Sequence, residues 1–181
     1  GIQPKLPVIE ENGVFRPTHA RELSNYIAKF PSATHPDLIE NEYLTICALK
    51  TLLPDDSSVQ LHIGFIKGLD EPALLIKRFD REGQERIHFE EFNQLLGLRS
   101  KAKYDGAYKQ MSDFILHNKQ CVPTQAYLLY RRIIAGLLLG NTDMHFKNFA
   151  MFHNTCAKNA YFINDSLFNT LSIQKFNIFE T

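Results

Sequence analysis

Asp143 and Asn148 stand five positions apart in the stretch Gly140 to Phe149, GNTDMHFKNF, with His145 and Lys147 between them. A carboxylate in a loop can orient a hydroxyl group and take its proton, and an amide carbonyl is an oxygen donor of the kind magnesium prefers. The pair at this spacing suits phosphoryl transfer, in which a protein aligns an acceptor with a terminal phosphate, neutralises the spreading charge and excludes water. The plainer reading is that Asn141, Thr142 and Asp143 merely cap and turn the chain, as these residue types commonly do. A lone histidine is ambiguous, and zinc is disfavoured because no second ligand stands at a fixed spacing from it.

The loop needs a scaffold, and the residues before it supply one. Gln125 to Leu139 is a long apolar helix-like run, and Gly140 sits where such a helix is capped. Arg131 and Arg132 in that run read as partnered residues at the surface. Upstream, Leu6–Ile9 and Val14–Phe15 read as two strands joined at Asn12-Gly13, a hairpin signal. Asn25 to Phe30 alternates as a strand with Lys29 near its end, and Pro31 and Ser32 break it. Asp37 to Leu52 is a helix capped by Asp37, with Leu38, Tyr43, Ile46, Leu49 and Leu53 recurring at helical spacing. Glu40 and Glu42 fall in its first turns, where acids favour the helix dipole. Val59 to Lys67 alternates as a strand around His62, and Ala73 to Ile76 reads as a buried strand running into a charged connector that ends at Gly83. From His88 to Leu96 the pattern is helical with Phe89, Phe92 and Leu95 or Leu96 inward, ended by Gly97; Tyr108 to Leu116 is a further helix with Met111 and Ile115 inward.

Composition bounds what such a chain does. The 181 residues hold one domain or two lobes sharing a cleft, with 44% apolar and 22% charged residues, as in ordinary globular proteins. Lys plus Arg and Asp plus Glu number 20 each, so no global attraction to nucleic acid or membrane is indicated. Cys47, Cys121 and Cys156 are odd in number, far apart and without a Cys-x-x-Cys pair, which favours reduced thiols over a disulfide framework or a zinc knuckle. No secretory segment opens the sequence and the most apolar run is broken by arginines, so a soluble, cytoplasmic protein with no membrane partner is expected.

Five runs together carry a resemblance. Asn-Thr-Asp-x-His-x-Lys-Asn-Phe after Leu-Leu-Gly resembles the catalytic loop of HipA-like serine/threonine kinases, the toxin kinases of bacterial toxin–antitoxin pairs. Leu75-Ile-Lys-Arg-Phe-Asp-Arg81 resembles that family's hinge, Glu40-Asn-Glu-Tyr43 its helix, and Arg86-x-His-x-Glu-x-Phe-x-Gln-Leu-Leu-Gly97, continued by Lys103-Tyr104 and Gly106, its large lobe. Gly1-Ile-Gln-Pro-Lys5 is similar to the second half of the family's Ser-x-x-Gly-x-Gln-x-Lys loop. The serine half, autophosphorylated in the family to shut the kinase off, is absent, so that feature passes to no residue here.

The resemblance implies an α+β, two-lobed protein-kinase-like fold, with a β-rich small lobe at 1–76, a hinge at 77–83 and a helical large lobe at 84–181, incomplete at both ends. It implies ATP and magnesium as cofactors. Asp143 would orient the acceptor hydroxyl and accept its proton. Gly1, Gln3, Lys5, Lys29, Glu42, His145, Lys147 and Asn148 would serve the nucleotide phosphates, Glu42 by holding Lys29. Lys77 and Phe79 would offer backbone contacts to the base, and Asp80 would bind ribose. Without the resemblance, Arg78, Asp80 and Arg81 read as a surface charge cluster worth little. Magnesium would rest on Asn148 and Asp165, although the family's Pro-x-Tyr-Asp run is replaced here by Tyr161-Phe-Ile-Asn-Asp165. Implied partners are a protein substrate, such as an aminoacyl-tRNA synthetase, a small DNA-binding antitoxin, and a separate chain supplying a missing subdomain. Two other readings stay open: a catalytically inactive, truncated kinase-like module that binds nucleotide or a partner protein, and a lipid or small-molecule kinase.

Overall fold

A computed structural model of the chain describes residues 3–56, 59–99, 106–141 and 143–152. Gly1, Lys103, Tyr104, Cys156 and Asp165, which carried expectations above, lie outside them. The architecture is mixed α and β, and the described residues fall into two compact units. One contains residues up to Cys47 together with Val59–Arg86; the other contains residues 48–56 and the residues from Ile87 onward. Among the described residues no helix is long and apolar enough to cross a membrane.

The first unit is built on a five-stranded antiparallel sheet. Its strands are β1 (Lys5–Glu11), β2 (Val14–Pro17), β3 (Tyr26–Lys29), β4 (Leu61–Gly64) and β5 (Ala73–Lys77), in the order β2-β1-β3-β5-β4. The β1–β2 hairpin turns on Asn12 and Gly13, both at positive φ (51° and 78°), as the tightest hairpin loops require. Strand β5 is buried on both faces. Ala73 and Leu75 join Val8, Tyr26, Ala28 and Phe30 on one side, while Leu74 and Ile76 meet Ile39 and Val59 on the other. Each fully buried aliphatic side chain here contributes about 1.5–3 kcal/mol.

Ile39 belongs to helix α1 (Leu38–Leu52). Of the expected inward residues, Ile46 and Leu53 are buried, Tyr43 packs against the core and Leu38 and Leu49 are half-buried. The same face also buries Ile39, Glu42 and Thr45, of which the charged and polar members are passed over by an apolar-periodicity reading. Strand β4 is shorter than expected because the chain leaves the β5 ladder after Gly64, and Lys67 N–H then donates to Phe15 O at 2.8 Å. The charged connector after β5 is itself a small hairpin, β6 (Arg81–Glu82) and β7 (Glu85–Arg86), turned near Gly83 at φ 57°.

The second unit holds β8 (Phe89–Glu91), α2 (Phe92–Leu95), α3 (Tyr108–His117), α4 (Thr124–Leu138), a 3-10 turn (Phe146–Asn148) and β9 (Ala150–Phe152). The helix expected from His88 to Leu96 is confined to one turn, because Phe89–Glu91 pairs antiparallel with Ala150–Phe152. Phe92 N–H also donates to Phe149 O at 2.8 Å, extending that pairing into the helix start. Gly97, at φ 64°, ends α2 in a Schellman motif: its N–H donates to Gln94 O and that of Leu98 to Asn93 O. Phe92, Met111, Ile115, Leu129, Phe146 and Met151 form the centre of this unit's core.

Arg132 departs from the expected surface position. It is 2% exposed and forms a two-point ion pair with Asp56, through Nε to Oδ2 and Nη2 to Oδ1. Arg131 remains half-buried, 4.0 Å from Asp55.

Candidate functional site

Within the first unit, the sheet register decides where Lys29 points. Residues directly opposite across an antiparallel ladder share a face, and Lys29 lies opposite Leu74, on the side covered by α1. Its amine therefore meets Glu42 Oε1, in a pair with both side chains almost wholly buried (3% and 2% exposed). Burial drives the Lys29 amine below the usual lysine range, against the pull of the Glu42 charge; burial likewise raises the Glu42 carboxyl, against Lys29. Glu40, two residues earlier, is exposed. On the other flank of β3, Lys5 stands opposite Lys29, so two cations occupy neighbouring strands in register. Gln3 is buried and spends its Nε2 on Phe30 O at 3.2 Å.

Asp80 is buried and held by two arginines, which removes the reading of Arg78, Asp80 and Arg81 as a surface charge cluster. Arg78 clamps both carboxylate oxygens, Nε to Oδ1 at 2.9 Å and Nη2 to Oδ2 at 2.7 Å, while Arg81 Nη1 reaches Oδ2 at 2.5 Å. Burial alone would raise this carboxyl, but the hydrogen bonds and charge of Arg78, with the charge of Arg81, hold it below the usual aspartate range. Arg78 N–H in turn donates to Asn25 O at 2.9 Å, fixing the end of β5 beside the start of β3. Lys77, expected to offer backbone contacts to a base, donates its N–H to Gln60 O at 2.9 Å, and its exposed amine donates to Gln60 Oε1 at 3.2 Å. Phe79 is half-buried.

In the second unit the 140–149 loop is set by the end of α4. Gly140, at φ 71°, donates its N–H to Leu137 O, and Asn141 N–H donates to Gly136 O, a second Schellman motif. This delivers Asn141 as a buried residue whose Oδ1 accepts the Asp143 N–H at 3.0 Å, a local turn that orients Asp143. Tyr108 Oη donates to Met144 O at 3.1 Å from α3 and pins the following peptide. Asn148 Nδ2 then donates to Asp143 O at 2.6 Å and Asp143 Oδ2 at 3.3 Å, and lies 3.4 Å from His145 Nε2. His145 Nε2 is also 3.4 Å from Asp143 Oδ1. Asp143, Lys147 and Asn148 are half-buried, whereas His145 is buried.

The structure thus brings together Lys29 with Glu42 and Lys5 in one unit, and Asp143 with His145 and Asn148 in the other. Asn141, Tyr108 and the two arginines around Asp80 were not read from the sequence as positioning groups. An Asn two residues before the loop Asp was the available signal for the first of them. Among the described residues no group of three His, Cys, Asp or Glu side chains could hold a metal ion. The oxygens present suit magnesium, which keeps waters and substrate phosphates as most of its ligands and takes only one or two from the protein. With Nδ2 committed to Asp143, the amide oxygen of Asn148 is the atom suited to that role.

Comparison with known proteins gives these residues a context. Residues 1–164 match the model of the HipA-like C-terminal domain. The chain is 32% identical over 164 residues to a putative kinase of Haemophilus influenzae, covering 84% of this chain and 47% of that protein. It is 30% identical over 173 residues to the serine/threonine-protein kinase toxin HipA of Shewanella oneidensis, covering 84% of this chain and 38% of that protein. The chain therefore spans less than half the length of these relatives. Among solved structures, the Shewanella oneidensis HipA–HipB–operator DNA complex contains a chain similar at a TM-score of 0.66 with 24% identity, covering 93% of this chain and 43% of that one. The Helicobacter pylori proinflammatory kinase CtkA is similar at a TM-score of 0.61 with 19% identity, covering 91% and 52%. These two likenesses establish a kinase-like fold.

Proposed function

The chain belongs to the HipA-like C-terminal domain family, and on that basis we propose that it carries the ATP- and magnesium-dependent centre of a serine/threonine protein kinase of the HipA toxin type. The observation that carries this reading is the buried Lys29–Glu42 pair in a unit of the same chain that places Asp143 and Asn148 in contact. A buried ion pair is weak evidence of stability, since apolar residues serve that end as well. It is a good way to hold an ammonium in a fixed place, and a fixed ammonium is what a triphosphate requires.

The assignments follow. Lys29, steadied by Glu42, acts as a point charge on the nucleotide phosphates, which Lys5, opposite it on β1, and Gln3 also serve. Phe79 offers backbone contacts to the base; a contact from the Lys77 N–H would require release of Gln60. Asp143 orients the acceptor hydroxyl and takes its proton. His145 and Lys147 contact phosphate oxygens. Asn148, together with Asp165 outside the described residues, would hold magnesium, which would supply charge neutralisation at the phosphates. The two lobes are residues 1–76 and 84–181, joined at 77–83. The acceptor is a translation component such as an aminoacyl-tRNA synthetase, and a small DNA-binding antitoxin restrains the activity in a cytoplasmic setting. The test is transfer of labelled phosphate from ATP to candidate proteins with and without magnesium. Transfer lost in Asp143→Ala supports the reading; wild type that neither binds ATP nor transfers phosphate sinks it.

One observation favours a second reading, a partner-binding module without transferase activity. Three hydrogen bonds from Arg78 and Arg81 already occupy the Asp80 carboxylate, so a ribose hydroxyl would compete with two cations. Wild type that shows neither calorimetric ATP binding nor transfer would favour it.

A further inference from the structure

Arg81 and Arg86, the two ends of the β6–β7 hairpin, lie within the first unit and have no role in the kinase reading above. The register of the hairpin sets like charges against each other: Arg81 stands opposite Arg86, and Glu82 opposite Glu85. Opposite residues share a face and successive residues alternate faces, so both cations occupy one side of the ladder and both acids the other. Like charges directly opposite weaken a pair of strands. Exchanging the two residues of either strand would give attractive pairs from the same composition, so this order does not serve stability.

The cation face is also under-compensated. The Arg81 side chain is 9% exposed and makes both of its hydrogen bonds through Nη1, to Asp80 O at 2.7 Å and Asp80 Oδ2 at 2.5 Å. Its Nε is buried without a partner among the described residues. The carboxylate it meets is shared, because Arg78 bonds both Asp80 oxygens and donates its Nη1 to Ser24 Oγ at 3.4 Å. Arg86 is exposed, with no ion-pair partner among the described residues. Burial and the charges of Arg78 and Arg86 press the Arg81 guanidinium below the usual arginine range, against the pull of Asp80. A fixed guanidinium facing a second one, with donors unmet, is suited to an anion, and the planar fork matches the oxygens of a phosphate group.

This face is distinct from the place given to the nucleotide phosphates. Arg78 N–H is bonded to Asn25 O beside the start of β3, whereas Lys29 is the last residue of that strand. At about 3.3 Å per residue, positions 25 and 29 are about 13 Å apart. With Lys29 tied to Glu42 and Arg81 to Asp80, one phosphate group does not span them.

We propose that the Arg81–Arg86 face of the β6–β7 hairpin binds a phosphate dianion, free or carried on a serine or threonine side chain, with Asp80 holding Arg81 in place for it. The site stands whether or not the chain transfers phosphate.

The experiment follows the thermal midpoint of the full chain with inorganic phosphate, with O-phosphoserine, with serine, and with sodium chloride at matched ionic strength. A ligand that binds only the folded chain raises the midpoint, and excess phosphate is expected to do so by about 3 °C over chloride. Arg86→Gln, a change at an exposed residue, is expected to keep or raise the midpoint in chloride, since a like-charge pair is relieved, and to weaken phosphate binding about tenfold by calorimetry. Lys5→Gln, which removes the cation opposite Lys29, is expected to keep the full phosphate shift. No shift over chloride in wild type, an undiminished shift in Arg86→Gln, or a shift lost in Lys5→Gln would each overturn the proposal. Should Arg86→Gln fail to fold, Arg86→Lys keeps the charge and loses the fork; a reduced shift supports the site and an unchanged one overturns it. A shift with O-phosphoserine and none with serine supports a phosphorylated side chain as the source, and a shift with inorganic phosphate alone supports the free ion.

Discussion

Asn148 donates one amide nitrogen to two oxygens of Asp143, the backbone carbonyl at 2.6 Å and the carboxylate Oδ2 at 3.3 Å. The bond to the main chain fixes the loop, and the bond to the side chain turns the carboxylate. Asn148→Ala removes both and the amide oxygen as well. It should lower phosphate transfer by about 10²-fold or more, the range lost with a general base or its orientation, at a stability cost of about 1 kcal/mol. Asp143→Asn should abolish transfer while ATP still binds. Single-turnover transfer and calorimetry without magnesium check both; an Asn148→Ala variant with wild-type transfer would contradict the assignment.

The Lys29–Glu42 pair separates stability from function. Removing one partner leaves a buried charge uncompensated, so Lys29→Met or Glu42→Gln should each destabilise the fold, by about 3–5 kcal/mol at most. Replacing both, Lys29→Met with Glu42→Leu, should restore much of the urea midpoint without restoring affinity for ATP. A double variant that binds ATP as well as wild type would show that Lys29 does not serve the phosphates.

These two sites illustrate what was legible in the sequence. Features whose partners are close in the chain were readable: Asn12-Gly13 turns a hairpin, and Gly97 and Gly140 end helices through bonds only a few residues long. Residues 89–91 were not, because their apolar spacing fits a helix and their strand partner, 150–152, lies on the far side of the loop. The face of α1 was readable from Ile46 and Leu53, but the depth of burial of Glu42 and Thr45 on that face was not, since charge and polarity argue for exposure. Arg132 was placed at the surface for the same reason, and only the tertiary partner Asp56 reverses that. Asn93 adds a polar group that no pattern announces, buried with its Nδ2 bonded to Leu98 O at the end of α2.

Acid should act through Asp80. Its carboxyl lies below the ordinary value of 3.8 in the folded chain, where burial is outweighed by Arg78 and Arg81. A depressed acid contributes stability that is fully present above the unfolded value and is lost as pH falls through the folded one. Wild type should therefore lose stability from about pH 5 downward more steeply than Asp80→Asn. The two melting curves, measured against pH, should converge on the acid side; parallel curves would mean that the two arginines do not hold the carboxylate ionised.

Gly106 marks the tightest steric requirement beneath the 140–149 loop. A Cβ there would lie 2.0 Å from Phe146 Cε2, 2.2 Å from Phe146 Cζ and 2.5 Å from Gln110 Oε1. Neither neighbour yields cheaply. Phe146 is buried in the core and begins the 3-10 turn that carries Lys147 and Asn148, so displacing its ring displaces that turn. Gln110 Oε1 accepts the Ala107 N–H at 3.1 Å at the start of α3, where an unpaired donor is costly. Gly106→Ala should thus lower stability by about 1–3 kcal/mol, as overpacking does, and lower phosphate transfer further than the unfolded fraction explains. Gly13→Ala is the matched control: at φ 78° with no atom within 4 Å of its Cβ, it should cost about 1–2 kcal/mol of backbone strain and leave transfer by the folded protein unchanged. Thermal melts and transfer rates measured on both variants separate the two effects, and a Gly106→Ala chain as stable and as active as wild type would show that the ring of Phe146 is not held where the loop depends on it.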